Sequence, residues 1–546
     1  MTTVLRGAEV IDGTGGRAFF ADVVIDGARI VGVTGPGEGH GDAVVDLAGL
    51  VLSPGFIDIH THYDAQILWD PDLTPSSWHG ITTTIMGNCG FGIAPALPEH
   101  RTLLMETLEN VEGMSVEALA AGIPWTFESF PEYLTALQNA RPRCNFAALV
   151  GHSALRIFVM GEDAYSRAAT TTEVAAMRDL LVEALGRGAL GFSTSRSHAH
   201  AGAHGRPVPS RFADRSEIFE IADALRIVGT GVIQVAYGSE ITLDDIAGLA
   251  EATGRPVTWT ALPAGRADMP PDTMLAVQDT TTGELWAQIS CRPIAMQVNL
   301  ANPFAFARMP AFARVLGQRV GDRAALYADP VWRAQARSEV DDYWVARWEK
   351  TFVHETVQHK ELVGGPSLAE LARQRGVTPL DLLCDLSLAE DLSTRFLVIL
   401  DNDDDEALAT LLQDDRTLLG LSDAGAHADQ LCDACFSTHL LEHWVRELGV
   451  LTLEKAVWRL TGHPAAVFRL ADRGRIAPGY IADLVAFDKN TVGIEDFERV
   501  WDLPANAERL IVRSRGVEAM WVNGQLSRAN GQDIPGIRAG QLLSCT

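Results

Sequence analysis

Two histidines stand one residue apart in PGFIDIHTHYD (54–64). The run FIDIH (56–60) leading into them has strand character, and in a strand residues i and i+2 point the same way. His60 and His62 therefore present two imidazoles to one side, and imidazole is the commonest neutral metal ligand. Far along the chain, Asp423 ends a second apolar run in LLGLSDAGAH (418–427). A carboxylate there can bind a metal and carry a proton; it can equally serve as a turn residue. Cys89 lies among glycines in MGNCGFGIAP (86–95). Its thiolate suits zinc, and a small buried thiol also suits a tight turn.

These residues need elements to bring them together. Eight short apolar runs read as strands: FIDIH (56–60), TTTIMG (82–87), NFAALV (145–150), GALGFST (188–194), GVIQVA (231–236), PVTWTA (256–261), WAQIS (286–290) and LLGLSD (418–423). Helical patterns such as 171–187 and 216–227 lie between most of them. The alternation predicts an α/β fold, a TIM-like (β/α)8 barrel over 55–469. First and last strands are neighbours in a closed barrel, which would bring Asp423 to His60 and His62. The stretch from about 291 to 417 is too long for one crossover. With WVARWEKTFVHE and LAELARQRG it reads as a mostly helical insertion. Both ends of the chain have strand-and-turn texture, so 1–54 and 470–546 are expected to form one small β-sandwich domain.

Composition narrows the partners. The 546 residues carry a net charge of −27, with 47% hydrophobic and 21% charged residues, a globular balance. So acidic a chain suits neither nucleic acid nor an anionic membrane. A small-molecule partner is expected, and a homo-oligomer is compatible with these numbers. No signal-like start and no run of 18 apolar residues is visible, so a cytoplasmic location is expected. The seven cysteines are scattered and read as free thiols. Only four of the 44 basic residues are lysines (Lys350, Lys360, Lys455 and Lys489).

Taken together, PGFIDIHTHYD, the GNCGFG loop, GHSALR (151–156), GALGFSTS (188–195), GLSDAGAH and TGHPAAVFRLADRGRIAPGYIADLVAFD (461–488) resemble the amidohydrolase superfamily. Within it the chain resembles the D-aminoacylase (N-acyl-D-amino-acid deacylase) branch. The resemblance implies a zinc-dependent barrel hydrolase with a terminal β-sandwich. It also implies His60, His62 and Cys89 as metal ligands, and Asp423 as both ligand and general base. Many relatives bridge two metals with a carboxylated lysine from strand four, which this chain lacks. The branch also takes a histidine from each of strands five and six. Here GVIQVAYGS and PVTWTALP contain none, and no histidine occurs between His204 and His354. One Zn2+ ion rather than two is therefore expected, and other divalent ions fit the same donors.

The expected reaction is hydrolysis of a linear amide in an N-acyl amino acid, D by the resemblance, or in a similar small amide. A substrate carboxylate would need a local cation in so acidic a chain, and Arg196 and Arg156 are the candidates. His152, in GHS, could polarise a carbonyl or fix the turn. SRSHAHAGAHG (195–205) adds His198, His200 and His204, with His200 named for substrate binding. Cys432 and Cys435 read as packing residues, and Trp344 and Trp348 as core or a helix face. Two other readings stay open: a cyclic-amide hydrolase of the hydantoinase or dihydropyrimidinase type, and a catalytically degraded binding protein. The missing lysine bridge counts against the first, and the retained His60, His62 and Asp423 against the second.

Overall fold

All eight apolar runs become parallel strands of one sheet in the computed structural model, which describes residues 1–109, 113–198, 200–238, 240–266, 268–306 and 309–545. They are β1 (Phe56–Asp58), β2 (Ile81–Met86), β3 (Asn145–Gly151), β4 (Gly191–Ser195), β5 (Val232–Ala236), β6 (Val257–Thr260), β7 (Leu285–Ile289) and β8 (Thr417–Leu419). Each pairs with the next in chain order. Every residue of β2, β3, β4 and β5 is buried. Burial on both faces is the mark of parallel strands covered by helices. The covering helices start where the sequence supplies caps. Thr170 with Glu173 and Thr242 with Asp245 form capping boxes for Thr171–Gly186 and Leu243–Thr253, and Asp214 caps Arg215–Val228.

The sheet curls until its two ends meet. A parallel bridge joins Thr61 to Ala424, and the His62 amide donates to the Ala424 carbonyl at 2.7 Å. This junction explains why β1 and β8 are shorter than expected. β8 stops at Leu419, and Leu421 and Asp423 then turn the chain with φ of 62° and 47°. Gly420 is required at the start of that turn, because a Cβ there would lie 2.2 Å from Ile59 Cγ1. Asp423 thus sits in the turn beyond the ladder, not at the end of a strand.

The segment from 291 to 417 is largely helical, with its own apolar core around Phe306, Phe312, Trp332, Trp344 and Trp348. It also holds an antiparallel sheet that the sequence did not announce: Ile294–Val298 and Thr351–Glu355 flank Arg395–Asp401. WVARWEKTFVHE is therefore not one helix. It divides into the helix Asp342–Trp348 and the strand Thr351–Glu355. Trp344 and Trp348 stack with Phe306 in the core.

The two ends of the chain meet in a nine-stranded mixed sheet. Thr2–Val10 pairs with Val51–Pro54, which pairs with Leu484–Phe487 and through it with Val517–Val522. Leu5, Val23, Leu52, Leu484 and Trp521 share its core. Among the described residues, no helix is long and apolar enough to cross a membrane.

Candidate metal centre

Four donor atoms from three places in the chain converge at the point where the barrel closes. His60 Nε2 lies 3.3 Å from Asp423 Oδ1, and His62 Nε2 lies 3.7 Å from the same oxygen. Cys89 Sγ is 3.4 Å from His60 Nε2, and the ligand atoms of His60, His62 and Cys89 all lie within 4.8 Å of one another. Zinc takes such a mixture of imidazole, thiolate and carboxylate, with bonds of about 2.0–2.3 Å. The edge of a tetrahedron with such bonds is about 3.3–3.8 Å, so the closest donor pairs already stand at ligand spacing. His60 and His62 are buried, whereas the Asp423 side chain is 30% exposed. Asp423 is thus the edge of the cluster that meets solvent. Among the described residues, no other group of three such side chains converges in this way.

Each donor is held by a different part of the barrel. Asp58, fully buried at the end of β1, accepts from the His60 amide at 3.3 Å and from Ser422 Oγ at 2.7 Å. It ties the histidine pair to the Asp423 turn, and burial pushes its pKa up to about 7. Cys89 adopts φ 57°, a region that costs a non-glycine residue roughly 1–3 kcal/mol. Its loop is fixed on both flanks. The Cys89 amide donates to Gln234 Oε1 at 2.6 Å, the Gly90 amide to Ser193 Oγ at 2.9 Å, and Asn88 Nδ2 to the Thr61 carbonyl at 3.2 Å. His60 Nδ1 donates to Gln288 Oε1 at 2.8 Å.

The charges reinforce one another. Burial alone would raise the Cys89 thiol, but the charge and hydrogen bond of His60 outweigh it and bring the pKa down to about 7. Burial also opposes ionisation of Asp423, yet the hydrogen bond from His62 and the charges of His60 and His62 hold it well below the usual carboxylate range. Thiolate and carboxylate are the forms a metal requires.

Two further imidazoles face this cluster. His200, after β4, binds Ser195 Oγ through Nδ1 at 2.7 Å and sets its ring against Phe91 at 5.1 Å. Burial, with His62 and His427 nearby, lowers its pKa to about 3. His427 is likewise lowered by burial and lies in the field of Asp423 and His62. Sequence reasoning passed over His427, although it ends the same SDAGAH motif four residues after Asp423. Of the remaining loop histidines, His198 lies 3.4 Å from Glu240, and the side chain of His204 is outside the described residues.

The other expected site residues have partners of their own. Arg156 is fully buried, with Nη1 at 2.5 and 2.6 Å from the two oxygens of Glu217 and Nη2 donating to the Arg167 carbonyl at 2.6 Å. His152 Nε2 donates to Glu217 at 2.9 Å, and its Nδ1 accepts from Thr194 Oγ1 at 2.9 Å. Arg156, a candidate for a substrate carboxylate, and His152, a candidate for a carbonyl or for the turn, thus both bind Glu217 on the helix Arg215–Val228. Arg196 is half-buried and donates to the Glu240 carbonyl at 3.1 Å. Cys432 and Cys435 are buried free thiols.

The Cys89 loop packs so closely on β3 that one methyl group should disturb it. A Cβ on Gly151 would lie 2.2 Å from the Phe91 carbonyl oxygen. Gly151→Ala is expected to lower stability by about 1–3 kcal/mol, as overpacking does. It should also weaken zinc binding by shifting Cys89. Urea unfolding and zinc titration would check both, and an unchanged pair of values would contradict this packing.

Comparison with known proteins adds an independent line. The amidohydrolase family model matches residues 43–527. A D-aminoacylase of Alcaligenes xylosoxydans xylosoxydans is 30% identical over 546 residues, spanning 100% of this chain and 97% of its own length. An N-acyl-D-glutamate deacylase of the same organism is 31% identical, spanning 99% and 96%. The solved N-acyl-D-glutamate deacylase from Bordetella bronchiseptica, complexed with zinc and a phosphonate mimic of the tetrahedral intermediate, is similar with a TM-score of 0.68. It shares 26% identity and covers 99% of both chains. With the family model spanning most of its length and the donor cluster in place, this chain belongs to the amidohydrolase family, in its D-aminoacylase branch.

Proposed function

We propose that this protein is a zinc-dependent amidohydrolase that cleaves the linear amide of an N-acyl-D-amino acid. The observation that carries the reading is the approach of Asp423 Oδ1 to His60 and His62 beside the Cys89 thiol. His60, His62, Cys89 and Asp423 would hold one zinc ion. Bound there, zinc supplies Lewis acidity that acidifies water and polarises the acyl carbonyl. Asp423, at the solvent-facing edge, takes the proton of the attacking water and later delivers it to the leaving amine. His60 keeps its proton at Nδ1, on Gln288, throughout. His200, fixed at Nδ1 by Ser195, and Arg196 are the substrate-binding groups of this scheme. Arg156 and His152, both bound to Glu217, are given no role at the substrate in this scheme.

The same scheme favours one ion. Among the described residues of β4, β5 and β7 themselves, the side chains bonded to His60 or to the Cys89 loop are Ser193, Gln234 and Gln288. They are neutral amides and hydroxyls, and none replaces the bridging lysine or the two histidines. Elemental analysis is expected to give one zinc per chain. Treatment with a strong chelator should abolish hydrolysis, and added Zn2+ should restore it. A panel of N-acyl-D- and N-acyl-L-amino acids, with a hydantoin included, tests the substrate. Turnover confined to the hydantoin, or activity that survives complete metal removal, would sink the reading.

A further inference from the structure

Two side-chain amides stand in the barrel wall beside the donor cluster. Gln234 on β5 and Gln288 on β7 are both 0% exposed. A buried amide left unpaired costs roughly 1–3 kcal/mol, and each of these is bound at both ends. Gln288 Nε2 donates to Thr258 Oγ1 at 3.0 Å, and Gln234 Nε2 donates to Thr260 Oγ1 at 3.3 Å. Thr258 and Thr260 are two apart on β6 and so share a face. β6 therefore braces one amide from each neighbouring strand.

The amide oxygens are left for the centre. Gln288 Oε1 faces His60 Nδ1 at 2.8 Å, and Gln234 Oε1 accepts the Cys89 amide at 2.6 Å. With its nitrogen occupied by Thr258, Gln288 offers His60 only an acceptor. His60 then keeps its proton on Nδ1, so that on metal binding it is Nε2 that gives up its proton and offers its lone pair. That is the atom facing both Cys89 Sγ and Asp423 Oδ1. Gln234 does the corresponding work for Cys89 by holding a left-handed backbone in place.

We propose that Gln288 and Gln234 are positioning residues for a single metal ion: Gln288 sets the tautomer and ring of His60, and Gln234 sets the Cys89 loop. The proposal rests on the zinc reading above. It also accounts for the neutrality of the wall. One thiolate and one carboxylate already balance a divalent ion, so the histidine needs an acceptor behind it but not another anion.

Zinc affinity of the full-length, metal-stripped protein, measured by chelator competition, tests this without any turnover assay. Gln288→Leu is expected to bind zinc about 10–100-fold more weakly, the usual loss when the partner of a ligating histidine is removed. Gln288→Glu keeps an acceptor at the same reach and should match the unmodified protein. Gln234→Leu should weaken the thiolate-to-cobalt absorption band of the Co2+-loaded protein, because Cys89 moves. Should Gln288→Leu fail to fold, Thr258→Val removes the brace alone and should lose affinity in the same direction. Unmodified affinity in both Gln288→Leu and Thr258→Val would overturn the proposal, as would an equal loss in Gln288→Glu. An unmodified protein that binds no zinc would instead overturn the zinc reading, so the two failures are distinguishable.

Discussion

Asp423→Asn is expected to lower kcat on an N-acyl-D-amino acid by roughly 10³–10⁴-fold, the upper range for a general base. Asparagine fills the same space, and His60, His62 and Cys89 still supply three donors, so the variant should keep its fold and most of its zinc. What it loses is the oxygen that can take a proton at the exposed edge of the cluster. KM should change far less than kcat, because His200 and Arg196, the groups proposed to bind substrate, lie on other segments. The decisive comparison is kcat at matched zinc content. A zinc-loaded variant that retains a tenth of the activity would remove Asp423 from the proton path.

The second large effect concerns stability. Glu217 is 2% exposed and receives both Arg156 and His152. Burial would raise its pKa, but the hydrogen bond from His152 and the charges of His152 and Arg156 hold it at about 2, against an ordinary 4.5. A carboxyl depressed on folding contributes stability that is complete above pH 4.5 and is lost as the pH falls from there toward 2. A carboxyl held so far below its ordinary range contributes on the order of 3 kcal/mol. Glu217→Gln should therefore destabilise the protein at neutral pH by about 3–5 kcal/mol, since it strands the buried Arg156. It should also flatten the acid limb of the stability curve. Replacing both partners, Glu217→Leu with Arg156→Met, should recover much of the loss. Urea midpoints measured from pH 7 to pH 3 would check these expectations. A change below about 1 kcal/mol in Glu217→Gln, the range of ordinary surface substitutions, would contradict them.

How far the sequence could be read depended on whether the partner of a residue was local. Buried parallel strands carry their signal within themselves, as in NFAALV, and all eight were legible. His60 and His62 were legible because their spacing of two is itself the geometry. Arg156 was not, because its type suggests a carboxylate but not which one; Glu217 lies 61 residues away. The strand Thr351–Glu355 was hidden for the same reason: it begins three residues after a helix and pairs with Arg395–Asp401. Gln234 and Gln288 carry no signal at all until the register of β5, β6 and β7 aligns them with Thr260 and Thr258. His427 was legible and missed, since only its spacing from Asp423 marked it.

The junction that closes the barrel also has a bearing on biosynthesis. Ser422 reaches the His60 carbonyl across 362 positions of sequence, and the strand Val517–Val522 near the C-terminus joins the sheet begun by Thr2–Val10. A ribosome that has released the first three hundred residues has delivered two histidines and a cysteine, with no carboxylate to complete the set. Contacts of such long range make folding slow, and they expose unfinished edges while it proceeds. Completion of the donor set is therefore a late event, and a chain that stops short of residue 423 lacks the carboxylate proposed as the general base.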